Sequence, residues 1–239
     1  MSTDIPSAME QPEKRWQPLT AIQRRVAGVL VEKAKTTPDA YPLTLNALTN
    51  GCNQKSNRAP HMELSSEDVE RTLEELREMG AVAEVQSGGR VPKFRHYLYE
   101  WLGVDKVELA VMAELLLRGE QTIGELRGHA SRMEPIPDLN ALQPILESLE
   151  QKQLVVMLTP AGRGQVVTHN LYTPERLEEL KSQFASGHHA LEPGAPRASS
   201  ARVSGVSTDQ FAALEAEVAQ LRTEVALLRD ELMAIRDAN

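Results

Sequence analysis

Residues 66–99, SEDVERTLEELREMGAVAEVQSGGRVPKFRHYLY, return in altered form at 139–172 as LNALQPILESLEQKQLVVMLTPAGRGQVVTHNLY. Leu73-Glu74-Glu75-Leu76 corresponds to Leu146-Glu147-Ser148-Leu149, Gly89-Arg90 to Gly162-Arg163, and His96-Tyr97-Leu98-Tyr99 to His169-Asn170-Leu171-Tyr172. Residue 73 falls on 146, 89 on 162 and 96 on 169, so one offset serves all three matches. A repeat at fixed offset means two copies of one structural unit.

Each copy reads as three helices and a hairpin. Thr20 with Gln23 opens the first helix as a capping box, and Asp105 with Glu108 opens its counterpart, which Gly119 stops. A short second helix is expected over 45–51 and again over 123–130. The third runs from about Ser66 to Met79, with Val69, Leu73, Leu76 and Met79 on one face. Its counterpart spans about Leu139 to Lys152, where Pro144 predicts a kink or a late start. The apolar runs Ala81–Val85 and Val91–Tyr99 flank Ser87-Gly88-Gly89, and Leu154–Leu158 and Gln165–Tyr172 flank Pro160-Ala161-Gly162. Turns of this kind between apolar runs predict hairpins. Three helices and a hairpin make a winged helix, a relative of the helix-turn-helix.

The first copy carries two insertions, Lys35–Pro42 before its second helix and Cys52–Pro60 after it. The run EKAKTTPDAYPLTLNALTNGCNQKSNRAPHMELS (32–65), with LLLRGEQTIGELR (115–127) in the second copy, resembles the YceH family of uncharacterised bacterial proteins across roughly residues 19–180. That resemblance implies a tandem winged-helix fold and a bacterial cytoplasmic home, and it supplies no reaction.

Farther along, Phe211, Leu214, Val218, Leu221, Val225, Leu228, Leu232 and Ile235 are spaced alternately by three and four. β-Branched residues at a with leucine at d favour a parallel two-stranded coiled coil. Glu217, Glu224 and Glu231 at g each precede Arg222, Arg229 and Arg236 at e by five, the pairing that a parallel in-register dimer needs. The expected fold is therefore α+β and mainly helical. A disordered N-terminal tail covers 1–18, winged-helix domains cover 19–100 and 101–181, a flexible linker covers 182–208, and the coiled-coil helix covers 209–236.

The 239 residues carry a net charge of −8, the wrong sign for a simple nucleic-acid coat. Charge is uneven: 19–100 holds 11 basic and 11 acidic side chains, 101–185 holds 8 and 12. The single Cys52 excludes an internal disulfide and fits a reducing cytoplasm. No long apolar run predicts a membrane span, and the first residues do not read as a signal peptide. No catalytic constellation, cofactor motif or metal-ligand spacing stands out, so an enzyme is not expected. Cys52 reads as a small buried residue, and His96 and His169 as structural.

The third helix, the usual reader in this fold class, places six acids against Arg71 and Arg77 between Ser66 and Met79, and phosphate would repel it. Candidates for nucleic-acid contact are instead the loop residues Asn53, Gln54, Lys55, Asn57 and Arg58 and the wing residues Arg90, Lys93 and Arg95. The expected function is a dimeric, transcription-regulator-like DNA-binding protein acting through the loop and wing of the first domain. The alternative is an acidic scaffold for another protein, similar in architecture to bacterial segregation and condensation protein B.

Overall fold

The computed structural model describes residues 16–85 and 91–186. The heptad residues, Arg90 and the Ser87-Gly88-Gly89 turn lie outside the described residues.

The same order of elements occurs twice. The first pass is α1 (Ala21–Thr36), β1 (Leu43–Thr44), α2 (Leu45–Cys52), α3 (Ser66–Glu78), β2 (Val82–Val85) and β3 (Lys93–His96), followed by a short α4 (Leu98–Leu102). The second is α5 (Lys106–Arg118), β4 (Gln121–Thr122), α6 (Ile123–Ala130), α7 (Leu139–Gln151), β5 (Val155–Met157) and β6 (Val166–His169), followed by α8 (Pro174–Ala185). Each pass closes a three-stranded antiparallel sheet, ordered β1-β3-β2 and β4-β6-β5. Among the described residues no helix is long and apolar enough to cross a membrane.

Both capping boxes form: Thr20 and Asp105 accept from the backbone of Gln23 and Glu108, whose side chains accept from the cap N–H in return. The boxes also tie the first helix of each copy to the third. Gln23 Nε2 donates to Glu75 Oε2 at 2.8 Å. At the equivalent place Ser148 Oγ donates to Glu108 Oε1 at 2.6 Å, and Lys152 Nζ lies 2.6 Å from Glu108 Oε2. One architecture thus survives a complete exchange of its polar partners. Gly119 ends α5 at φ 76°, a conformation that favours glycine.

Several expected boundaries shift. The β3 strand stops at His96 rather than continuing to Tyr99, because Leu98, Trp101 and Leu102 turn a helical face into the core. α7 runs unbroken through Pro144, which sits exposed within its second turn. Trp16, read as part of a disordered tail, is buried in the core, since an indole there joins the aliphatic cluster. α8 continues to Ala185, four residues into the segment read as linker, and Leu180 anchors it.

The two copies share a core. One hydrophobic cluster reaches from Trp16 to Leu171 through both copies, and α1 packs against α5 at its centre. Residues 108–117 of α5 are buried on every side, as only a central helix can be. Close approach needs Gly28: a Cβ there would stand 2.9 Å from Leu117 Cγ and 3.4 Å from Ala113 O. Gly28→Ala should therefore cost about 1–3 kcal/mol through overpacking, read as a lower urea midpoint with unchanged slope. An unchanged midpoint would show that the helices part freely.

Candidate functional site

The insertion that distinguishes the first copy, Cys52–Pro60, lies in the seam between the copies. Arg25, a buried guanidinium on α1, pins both its ends, donating to Cys52 O at 2.9 Å and Pro60 O at 2.6 Å. Burial, and then the nearby Arg58, push the Arg25 pKa down to about 10. The Arg58 side chain is fully buried. It grips Glu32 of α1 with two hydrogen bonds of 3.1 and 2.5 Å, and also donates to Gly51 O at 3.1 Å and Gln54 Oε1 at 2.9 Å.

Asn57 carries the seam across to the second copy. Its backbone takes φ 61°, which asparagine tolerates better than most residues. Its Oδ1 accepts from Arg118 of α5 and, at 3.0 Å, from Arg132 beyond α6. Ala59 N–H donates to Leu117 O at 2.9 Å. Glu114, nearly buried on α5, faces Arg118 Nε at 2.8 Å in an alignment too poor for a hydrogen bond, with His129 Nδ1 at 3.4 Å and Arg132 at 3.8 Å. Burial raises the Glu114 pKa and lowers those of Arg118 and His129. Around these groups lies a polar cleft of about 270 Å³ that also takes in Lys33, Thr36, Ser56 and Met133.

This placement decides the loop candidates. Asn53 forms a reciprocal pair with the Leu64 backbone, both bonds 2.8 Å. Gln54, Asn57 and Arg58 are engaged as above; Lys55 is exposed, Asn53, Gln54 and Asn57 are half-buried, and Arg58 is buried. Of the expected basic edge, Arg58 is taken up by Glu32 and by carbonyls inside the chain. The cleft residues Glu32, Glu114, His129 and Arg132, and Arg118 beside them, were not singled out by sequence reasoning. The available signal was an acid within an apolar helical run, as at Glu114 in VMAELLLR. The Cys52 thiol is buried and its pKa is pushed up to about 12 by that burial, so it offers no thiolate at neutral pH.

On the first sheet, Lys93 is half-buried and Arg95 exposed, its guanidinium carbon 5.1 Å from the Tyr97 ring centre. Arg90 lies outside the described residues. On α3 the solvent side shows Glu67, Glu70, Glu74 and Glu78, while Arg71 and Arg77 are paired with Asp68 at 3.0 Å and Glu84 at 3.3 Å.

His96 and His169 are equivalent and structural. Each Nδ1 accepts from the backbone N–H two residues on, at 3.4 Å from Leu98 and 3.1 Å from Leu171. Burial lowers the His96 pKa to about 4, helped by Arg95 and Lys35 and opposed by Glu100. Burial, with Arg24, lowers that of His169 well below 6.5. A depressed folded-state pKa means stability present above pH 6.5, lost as pH falls and the unfolded chain alone takes up the proton, and levelling off below about 4. Near pH 5, His96 should cost about 2 kcal/mol, with His169 adding in the same direction. The raised Glu114 carboxyl works the other way and offsets part of this. Urea melts of wild type and His96→Gln at pH 7 and pH 5 check it: the variant should lose less on acidification, and equal losses would refute the assignment.

The chain is 55% identical over 184 residues to a UPF0502 protein of Rhodopirellula baltica, covering 75% of this chain and 78% of the relative. It is 41% identical over 205 residues to a UPF0502 protein of Geobacter sulfurreducens, covering 84% and 89%. With one from an Acidovorax species, identity is 38% over 214 residues, covering 86% and 93%. A family described as "Protein of unknown function, DUF480" matches residues 19–164, a span that holds every residue of the seam between the copies, and the chain belongs to that family.

Proposed function

We propose that this chain is a non-catalytic interaction module built from two winged-helix repeats, and that its partner is a protein rather than duplex DNA. Helix–strand–helix–helix–hairpin, twice over, is the winged-helix order. One observation carries the choice of partner: neither third helix offers phosphate a free cation. α3 exposes four glutamates and its arginines are paired; the exposed residues of α7 include Leu139, Asn140, Gln143, Glu147 and Glu150 and no basic side chain. A reading helix lies between two rows of phosphates, where such carboxylates are repelled.

A parallel dimer through residues 209–236 and a cytoplasmic location belong to the same proposal. Ending the chain after residue 207 should halve the mass seen by light scattering, and an unchanged mass removes the dimer. The main test is anisotropy of labelled duplex DNA at low salt, where no saturable binding is expected. A second reading, duplex DNA held by the wing, is favoured by Lys93 and Arg95, which make no ion pair among the described residues. Binding with a log–log salt slope near about −2, flattened by removing both cations, would establish it over the first.

A further inference from the structure

The outward face of the first sheet is open where its counterpart on the second is covered. β6 is buried along all four residues. The Arg24 guanidinium lies 4.5 Å from the Tyr172 ring centre, and Leu19 N–H donates to Leu171 O at 2.8 Å. In the first copy Arg95 stands where Thr168 is, Tyr97 where Asn170 is, and Tyr99 where Tyr172 is. Tyr97 and Tyr99 are 38% and 37% exposed, against 8% for Tyr172. With Val91 they make three of the four large apolar side chains left exposed among the described residues.

Along β3 the open face carries only cations. Lys93 and Arg95 alternate with the buried Phe94 and His96, and their ladder neighbours Thr44, Val85 and Ala83 are neutral. Lys35 lies 5.8 Å from the Tyr99 ring centre, itself held by Glu134 at 2.8 Å. Tyr41 completes the group: its hydroxyl accepts from His96 N–H at 2.7 Å, so Tyr41 and Tyr99 both stand beside the His96 ring.

Tyrosine and arginine supply most of the energy at protein interfaces, because they bury large rigid area and keep a polar handle. Cations without counter-ions beside them call for carboxylates. We infer that this face docks an extended acidic segment of a partner protein, with its carboxylates on Lys93 and Arg95 and an apolar side chain against Tyr97 and Tyr99. The inference rests on the interaction-module reading. Single-stranded nucleic acid also stacks on aromatic rings, but it needs cations along its whole track. Two unpaired cations in a chain of net charge −8 do not supply that.

The test uses the full chain and three labelled probes: a peptide alternating glutamate and leucine, one alternating lysine and leucine, and an oligothymidylate. Saturable binding is expected for the glutamate peptide alone. Arg95→Ala and Tyr97→Ala should each weaken it about tenfold while melting with the wild type. Lys181→Ala, on α8, should leave it unchanged. If the glutamate peptide does not bind, or binds both variants as tightly as wild type, the face is not the docking site. A peptide bound elsewhere on the chain then leaves the interaction-module reading standing. If the oligothymidylate binds best and loses affinity in Arg95→Ala, both the inference and that reading fall.

Discussion

Arg58→Ala is expected to destabilise the protein by about 3–5 kcal/mol, a large share of the stability of a small domain. The substitution removes a fully buried guanidinium and leaves Glu32, whose side chain is only 15% exposed, without its bidentate partner. It also strips the Gly51 carbonyl and Gln54 of their donor. The cost arises mainly from the carboxylate left behind, so the design of the control matters. Replacing Arg58 with Met and Glu32 with Leu together should recover most of the loss, because two apolar side chains of similar size leave no buried charge. Arg58→Lys should fall between, since an ammonium cannot span both carboxylate oxygens. Denaturant melts of the four proteins decide it. A melting curve unmoved by Arg58→Ala would return this arginine to the surface role that its sequence context suggests.

Leu73→Ala and Leu146→Ala, at equivalent positions on α3 and α7, should each cost about 2–5 kcal/mol, because both side chains are almost wholly buried and each would leave a cavity. The form of the loss is as informative as its size. With one hydrophobic cluster running through both copies, either substitution should lower a single cooperative transition. Circular dichroism and tryptophan fluorescence, with Trp16 and Trp101 as reporters, should then give coincident curves. A biphasic melt in Leu146→Ala, with one phase left at the wild-type midpoint, would mean that the copies unfold separately.

The helices were the legible part of the chain. Capping boxes at Thr20 and Asp105 and the stop at Gly119 are local chemistry, written in residues three or four apart. β1 and β4 escaped notice because a two-residue strand has no periodicity, and each exists only through its ladder to β3 or β6. α4 escaped because LYEWL serves equally well as the end of a strand; Gly103 in a left-handed conformation then closes it as a helix. α8 did carry a signal, Thr173-Pro174 ahead of an amphipathic run, and the boundary was drawn four residues short of its end. The loop was the least legible part. Asn, Gln, Lys and Arg in an insertion look like a recognition surface. The groups that claim Arg58 and Asn57 lie 26 and 61 residues away in sequence, where no local pattern points to them.

The meeting of α1 with α5 has a historical meaning. These are the same helix of two copies of one unit, and contact between like elements is the mark of an isologous pairing. A lone copy carrying the Gly28 face would have nowhere to bury it except against a twin. Such a pair, joined head to tail by duplication, would become one chain whose halves can no longer separate. The halves would then be free to diverge: one keeping an open sheet, the other sealing its own, with the first copy's insertion closing the seam that a symmetric pair would have left bare.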